Sequence, residues 1–547
     1  MGSEKEVRLR GQHEISLVRL IICSMVSGGV QYGWALQLTL LTPYVETLGL
    51  PHALASIAWL CGPVTGLDQR LVCGAIDLGQ DLVEEGHLFL QLLVIGFSSD
   101  IGVALGDTQE SCSTYVGPRW KAAVIYVVGF WALDFANNTV QGPTRAMMAD
   151  LSGKHGCSAA NIIYAFWMAI GNILGFSSGA GVTWYKFHDY SHSLLSPPSV
   201  LPNYPNCLIY LGGKIVISAK IPIRLLKIKE HDSWLPSLMT NSCCEDCANL
   251  KGAFLVAVMF LVICLTVSLI AAKEVMLSDL DYEELESSGI FSVFQAFKRL
   301  PAGMPSVLSV TALTWLAWFP FLLYNTDWMG REIFHGDPSG TKQEIESYNM
   351  GVQQGAFGLL LTSIVLGITT MLLEHLCRKV TPRLVWVMGN FTLFLAMLAI
   401  TVLSFISKNR HNSVGTAEEG VKNFALAIEA FLGFPIAVSI THWAFYSFSS
   451  SIRILLSIPF TFAAQLATNE GGTHQGLAIG VLNISIVVPQ VFVAFSAGPW
   501  DALFGDGNIP AFALAGILAI IAAFFGFTKL PTLTTKTSKI HSFGSMH

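Results

Sequence analysis

The sequence predicts an all-α membrane protein of twelve transmembrane helices in two six-helix bundles. Three observations carry that prediction. Of the 547 residues, 52% are hydrophobic and only 12% charged, with a mean hydropathy of +0.55. No soluble domain needs that much apolar surface. The apolar residues fall in runs of about 20, the length at which a helix crosses the hydrocarbon core. The clearest basic clusters lie between alternate runs, so they share one side of a membrane.

Taken in order, the apolar runs cover roughly 17–42, 53–74, 88–105, 121–143, 159–183, 252–272, 306–325, 352–374, 382–406, 423–440, 475–496 and 509–529, with ends uncertain by a few residues. Six precede and six follow a polar segment. The chain thus divides into a tail at 1–16, a first half at 17–272, a central loop at 273–305, a second half at 306–530 and a tail at 531–547. Arg8, Arg10 and Arg19 precede the first span. Lys273, Lys298 and Arg299 lie in the central loop, Arg378, Lys379 and Arg383 between spans eight and nine, and Lys529, Lys536 and Lys539 after the last. With an even span count these clusters face the cytosol. The opening MGSEKEVRLRGQHEISLVR is too polar for a cleaved signal peptide. Two six-helix halves joined by a cytosolic loop is the major facilitator plan, in which substrate binds between the halves near the midplane.

The fourth span carries the most informative pattern. KAAVIYVVGFWALDFANNTVQGPTR is apolar enough to span, yet it holds Asp134, Asn137, Asn138, Gln141 and Arg145. Counted from Asp134, the others fall at i+3, i+4, i+7 and i+11, which is one helical face. Arg145 is about 16 Å along the axis from Asp134, so the acid sits near mid-membrane and the base near one end. An ionisable group at that depth is costly and usually lines a water-filled path or pairs with another charge. A packing stripe is the simpler alternative, but Asn and Gln alone would serve that purpose.

Other polar groups are more open to interpretation. Gln31, Trp34 and Gln37 in GGVQYGWALQ set amides beside an aromatic ring, a surface suited to a sugar's hydroxyls and C–H faces and equally to helix packing. His52 follows Pro51 in the outer loop, where a lone histidine is usually solvated. Past span seven, Asp327 and Arg331 stand at i, i+4, the spacing of an ion pair, with Glu332 beside them. Cys243, Cys244 and Cys247 form CCEDC in an outer loop with no obvious fourth zinc ligand, so a disulfide suits them better. Asp150, Lys154 and His155 suit a solvated cytosolic turn. Gln475 and Asn483 of span eleven fit a pore or a packing surface equally.

Nothing here suggests an enzyme or a cofactor site: no nucleophile–base set, metal-ligand motif or phosphate loop stands in a cavity context. The net charge of −6 is small and dispersed, which gives no electrostatic case for a nucleic-acid partner.

Together these residues resemble the plant sucrose–proton symporters, a branch of the major facilitator superfamily. The stretches that carry the resemblance are GGVQYGWALQLTLLTPYVETLGLPHA, WLCGP, VVGFWALDFANNTVQGPTRAMMADLSG, NLKGAFLVAV, LPAGMPSVL, WFPFLLYNTDWMGREIFHGDP, GVQQGAFGLLL, GVLNISIVVPQ and AGPWDALFGDGNIPAFALA. They run through both halves. The resemblance implies a multi-pass protein of the plasma membrane, or failing that the vacuolar membrane, importing sucrose and certain glucosides with protons as the coupling ion and no cofactor. By resemblance, Asp134 matches the carboxylate that takes the proton and contacts sugar, and Arg145 the base that couples the two. His52 matches an outer-loop histidine associated with sugar access. Asp327, Arg331 and Glu332 match a charged set used in gating. Gln31, Trp34, Asn138 and Gln141 complete the expected sugar-binding set.

The chain also departs from that family. Family members carry a basic cytosolic loop after span two, whereas residues 67–88 read LDQRLVCGAIDLGQDLVEEGHL, which is acidic. Residues 189–235 lengthen a loop that is usually short, and 441–456 interrupt span ten. Asn325 stands where the family usually has an aspartate and Thr362 where it has an asparagine. These departures leave a second reading open, a non-transporting member: a mis-spliced product or a sugar sensor.

Overall fold

Each of the twelve expected spans carries helix. The computed structural model describes residues 16–63, 91–108, 117–151, 156–180, 210–211, 214–215, 245–271, 300, 303–414, 419–439, 459, 475–505 and 507–531. Residues 67–88, 441–456, nearly all of 189–235 and the central loop up to 299 lie outside them, as do Cys243, Cys244, Lys154 and His155. Among the described residues, β structure is confined to the antiparallel pairing of Tyr210–Leu211 with Lys214–Ile215. Five described helical stretches are long and apolar enough to cross a membrane: Met304–Ile333, Lys342–Thr369, Pro382–Asn412, Val481–Ala502 and Ile509–Lys529.

Span one comprises Leu17–Cys23 and Met25–Thr47. The Ser16 hydroxyl accepts from Arg19 N at 3.3 Å and caps its start. Arg19 also donates from Nε to Ala271 O at 2.5 Å, tying the first span to the end of the sixth, Glu245–Ala271. Against the fifth span, Gly156–Ala180, the seam is made of small residues. A Cβ on Gly175 would stand 2.5 Å from Ala35 Cβ, one on Gly179 would stand 2.6 Å from Thr39 Cγ2, and one on Gly171 would collide with Gly28 O. Without a hydrophobic driving force in lipid, such close backbone approach supplies the packing.

Span four is the helix Trp120–Leu151, and it has two distinct faces. Val124, Val128, Trp131 and Phe135 are exposed, whereas Ala123, Tyr126, Phe130, Leu133, Asp134 and Asn137 are buried. The exposed positions fall at i, i+4, i+7 and i+11, the lipid-facing stripe of a transmembrane helix. Asp134 therefore points inward because the opposite face satisfies the bilayer.

In the second half, span seven runs Met304–Trp328 and continues as one π-helical turn, Met329–Ile333. Span eight, Lys342–Val380, starts ten residues before its apolar run. Its outer turn is held by a capping box: Thr341 N donates to Glu344 Oε2 at 2.7 Å, and Glu344 N reaches Thr341 Oγ1 at 3.5 Å. Spans nine to twelve are Pro382–Val414, Glu419–Ser439, Gln475–Ala502 and Ile509–Lys529. Span two departs from a plain helix. It opens as a short α-turn at His52–Ala55 and a 3-10 turn at Ser56–Leu60.

The halves meet through polar contacts near one end of the bundle. Thr42 Oγ1 donates to Leu323 O at 2.6 Å, Thr326 Oγ1 to Thr39 O at 2.9 Å, and Gly498 N to Ser56 Oγ at 3.3 Å. Trp59 Nε1 donates to Thr42 Oγ1 at 2.9 Å, and the Trp59 ring stands edge-on to Phe319. The positive-inside orientation makes this end the outer one. The first-half seam predicts that Gly171→Leu, by forcing spans one and five apart, lowers the yield of monodisperse protein several-fold in size-exclusion chromatography, since such overpacking costs about 1–3 kcal/mol.

Candidate transport site and outer gate

Asp134 lies midway along span four and is buried, as is Asn137. Its charge is within electrostatic reach of Cys61 on span two. Trp131 Nε1 donates to Ala58 O at 3.0 Å, and Tyr126 OH to Leu40 O at 3.1 Å, so spans one and two hold this helix in place from both of its faces. Asn138, Gln141 and Arg145 continue along the same helix, but their side chains lie outside the described residues.

Several buried polar atoms on the central spans have no hydrogen-bond partner among the described residues. They are Trp34 Nε1 and Gln37 Nε2 on span one, Asn137 Nδ2 on span four, and both amide atoms of Asn325 on span seven. Unmet buried donors and acceptors are costly. A polyhydroxyl ligand would offer both kinds of partner at once. Gln31, by contrast, is engaged within the first half: its Nε2 donates to Asn172 Oδ1 at 2.9 Å on span five.

At the outer end the charged residues form one buried network. His52 is not a solvated loop histidine. It is the first residue of the short helix after span one, and it is buried. Its Nδ1 meets Glu46 Oε1 at 2.7 Å and Asp327 Oδ2 at 3.7 Å, while Nε2 faces Asp501 Oδ2 at 3.8 Å. Its ring stacks on Tyr324 at 4.9 Å. Three carboxylates, Glu46, Asp327 and Asp501, surround the imidazole, a setting that favours its protonated form.

Arg331 completes the link between the halves. Its Nε meets Asp327 Oδ1 at 3.1 Å, the ion pair that the i, i+4 spacing suggests, and its Nη2 forms a close ion pair with Glu46 Oε2 of the first half. The π-helical turn sets Arg331 and Glu332 on successive positions that both face partners, an insertion common at functional sites. Tyr348 OH donates to Asp327 Oδ1 at 2.6 Å. Asn508 donates from Nδ2 to Asp327 Oδ2 at 2.7 Å and from its backbone N to Glu332 Oε1 at 2.7 Å. Asp501 accepts from Ala511 N at 2.9 Å, which ties the network to the start of span twelve.

Glu46, His52 and Asp327 stand close enough together to hold a metal ion. Arg331 already contacts both carboxylates of that trio, so a cationic partner is in place. Glu46, Tyr348, Asp501 and Asn508 were not evident from local sequence pattern, although Glu46, Asp501 and Asn508 fall within the quoted stretches GGVQYGWALQLTLLTPYVETLGLPHA and AGPWDALFGDGNIPAFALA. Arg331→Ala leaves Glu46 and Asp327 buried without their guanidinium, a loss of about 3–5 kcal/mol for a buried pair. Thermal unfolding in detergent should drop clearly for that variant, and by less for Arg331→Lys.

No protein-family model matches the chain. It is 49% identical over 558 aligned residues to the sucrose transport protein SUT1 of Oryza sativa subsp. japonica, with 97% of this chain and 91% of that protein covered. It is 48% identical over 544 residues to SUT3 of the same organism, covering 96% and 95%. To SUT4 of Oryza sativa subsp. indica it is 41% identical over 600 residues, covering 96% and 90%. Among solved structures, a mutant of the nucleoside transporter NupG aligns with a TM-score of 0.55 at 10% identity, covering 94% of this chain and all of that one. The xylose transporter XylE from E. coli, in a partially occluded inward-open conformation, aligns at 0.52 and 12%, covering 95% and 99%. At such identities these structures establish the fold alone, that of the major facilitator transporters.

Proposed function

The chain belongs to the sucrose transport protein family, and from that premise we propose that it imports sucrose, and related glucosides, together with protons by alternating access. The observation that carries this reading is the buried Asp134 on the inward face of span four, set among helices whose Trp34, Gln37, Asn137 and Asn325 have polar atoms unmet among the described residues.

The chemistry follows from burial. Facing outward, Asp134 takes a proton, because a buried carboxyl favours its neutral form. The neutral acid donates to a sugar hydroxyl, and the amides and Trp34 supply further partners. Proton and sugar together favour the closed state, since a ligand shifts a conformational equilibrium only by its differential affinity. The halves then rock and open the site inward. Loss of the proton to the cytosol weakens sugar binding, and Arg145, at the cytosolic end of the same face, stabilises the re-formed carboxylate. His52, Asp327, Arg331 and Glu332 act at the outer gate. Plasma membrane is the proposed location, with the vacuolar membrane as the alternative.

The acidic stretch at 67–88 favours the second reading, a non-transporting member, because the family's basic inner loop is missing there. Uptake of labelled sucrose by cells expressing this chain separates the two. The symporter reading expects uptake that is stronger at acid than at neutral outside pH and lost with a protonophore. A chain that reaches the surface and takes up no sucrose supports the second reading. Within the symporter, Asp134→Asn abolishes proton-driven accumulation, and normal accumulation would refute its role. Arg145→Ala uncouples the movements, and a wild-type sugar-to-proton ratio in that variant would argue against coupling.

A further inference from the structure

The outer network carries more negative charge than it can balance internally. Among the described residues, four carboxylates, Glu46, Asp327, Glu332 and Asp501, converge there, and the cations among them are Arg331 and His52. Fully ionised, even with His52 charged, the cluster holds two more negative than positive charges. Glu46, Asp327, Asp501 and His52 are all buried. Among the described residues, the other groups facing the cluster are neutral: the hydroxyls of Tyr324 and Tyr348 and the Asn508 amide. Arg119, just before span four, donates to Ser99 Oγ at 3.1 Å and Thr47 O.

The network is also unfinished. His52 Nε2 and Asp501 Oδ2 face one another at 3.8 Å, and both lack a hydrogen-bond partner among the described residues. The cluster exists only when the halves touch, because Glu46 and His52 come from the first half and the remaining charges from the second. When the halves part, water and counterions neutralise these groups. When they close, uncompensated buried charge must be removed, and in the absence of another cation the direct way is protonation.

We propose that the closed outer gate is itself a proton-binding site: closure gathers Glu46, Asp327, Glu332 and Asp501 around Arg331 and His52 and draws protons from the outer medium onto that cluster. This rests on the alternating-access reading above, but it places proton uptake at a position separate from Asp134. Glu46, paired with both His52 and Arg331, stays ionised, so the uptake falls to Asp327, Glu332 and Asp501. A carboxylate that is solvated when the gate is open and buried in excess negative charge when it is closed binds its proton more tightly in the closed state. His52 likewise holds its proton more tightly among three carboxylates. Acidification therefore favours closure, and the preference is lost as pH rises through the closed-state range. Asp501, opposite the second nitrogen of His52, is the acid that the cluster balances least directly.

Hydroxyl-radical footprinting of the full chain in lipid nanodiscs tests this without added labels. Trp59 and Tyr324, buried at the closed seam, report opening by their oxidation. As pH falls from about 8 to about 5, their oxidation should decrease, with the open-to-closed ratio changing by up to about tenfold per pH unit for each proton taken up. Asp134→Asn should keep that dependence, whether or not it still transports. Asp501→Asn should close at higher pH and with a shallower slope. Oxidation independent of pH in the wild-type chain would overturn the proposal. So would a pH dependence abolished by Asp134→Asn, which would assign the effect to span four. Failed transport with an intact pH response would instead count against the symport reading alone.

Discussion

The contact between Arg331 and Glu46 sets the rest of the outer architecture. It joins the two halves by a charge pair in a setting where neither charge is well solvated, so each must be matched by further partners. Asp327 binds the same guanidinium, His52 binds the same glutamate, and Tyr348 and Asn508 take the remaining lone pairs of Asp327. The π-helical turn at Met329–Ile333 and the short helix at His52–Ala55 follow from that requirement, since they bring Arg331 and His52 to the seam. The uncharged contacts beside them, Thr42 to Leu323 and Thr326 to Thr39, use short hydroxyl side chains that let span one approach span seven closely.

Most of the fold was legible in the sequence because bilayer thickness imposes a length on every apolar run. The last span is observed at Ile509–Lys529, as its hydrophobic run predicts. Span eight extends well beyond its apolar run because helix length is decided at the outer end by Thr341 and Glu344, not by hydropathy. Span two was read as a plain helix, yet Pro51 is followed by an α-turn and a 3-10 turn that fit His52 and Ser56 against span eleven.

The candidate site was legible where its pattern is local. Asp134 and Asn137 share a helical face, and the exposed Val128, Trp131 and Phe135 on the other face make that face the inner one. Asp327 and Arg331 were paired by spacing alone. Local sequence alone makes His52 an ordinary loop histidine, and only the resemblance marks it for sugar access, because its burial comes from Asp327, Tyr324 and Asp501, more than 270 positions away. Glu46, Asp501 and Asn508 were missed for the same reason: they join the site only when the halves meet, and no local periodicity records that contact. Gln31, grouped with the sugar-facing residues by its place beside Trp34, donates to Asn172 of span five, a contact that local pattern does not record.

The central claim is that the seam on the outer side must open and close for transport. The most direct measurement is sucrose uptake by a chain carrying Trp59→Cys and Phe319→Cys, assayed before and after a short bifunctional methanethiosulfonate cross-linker, and again after reduction. The Trp59 and Phe319 rings meet across the halves with centroids 6.4 Å apart, so thiols at these positions lie within reach of such a linker. The account predicts that the cross-link stops uptake and that reduction restores it. A demonstrably cross-linked chain that transports at the reduced rate would contradict it.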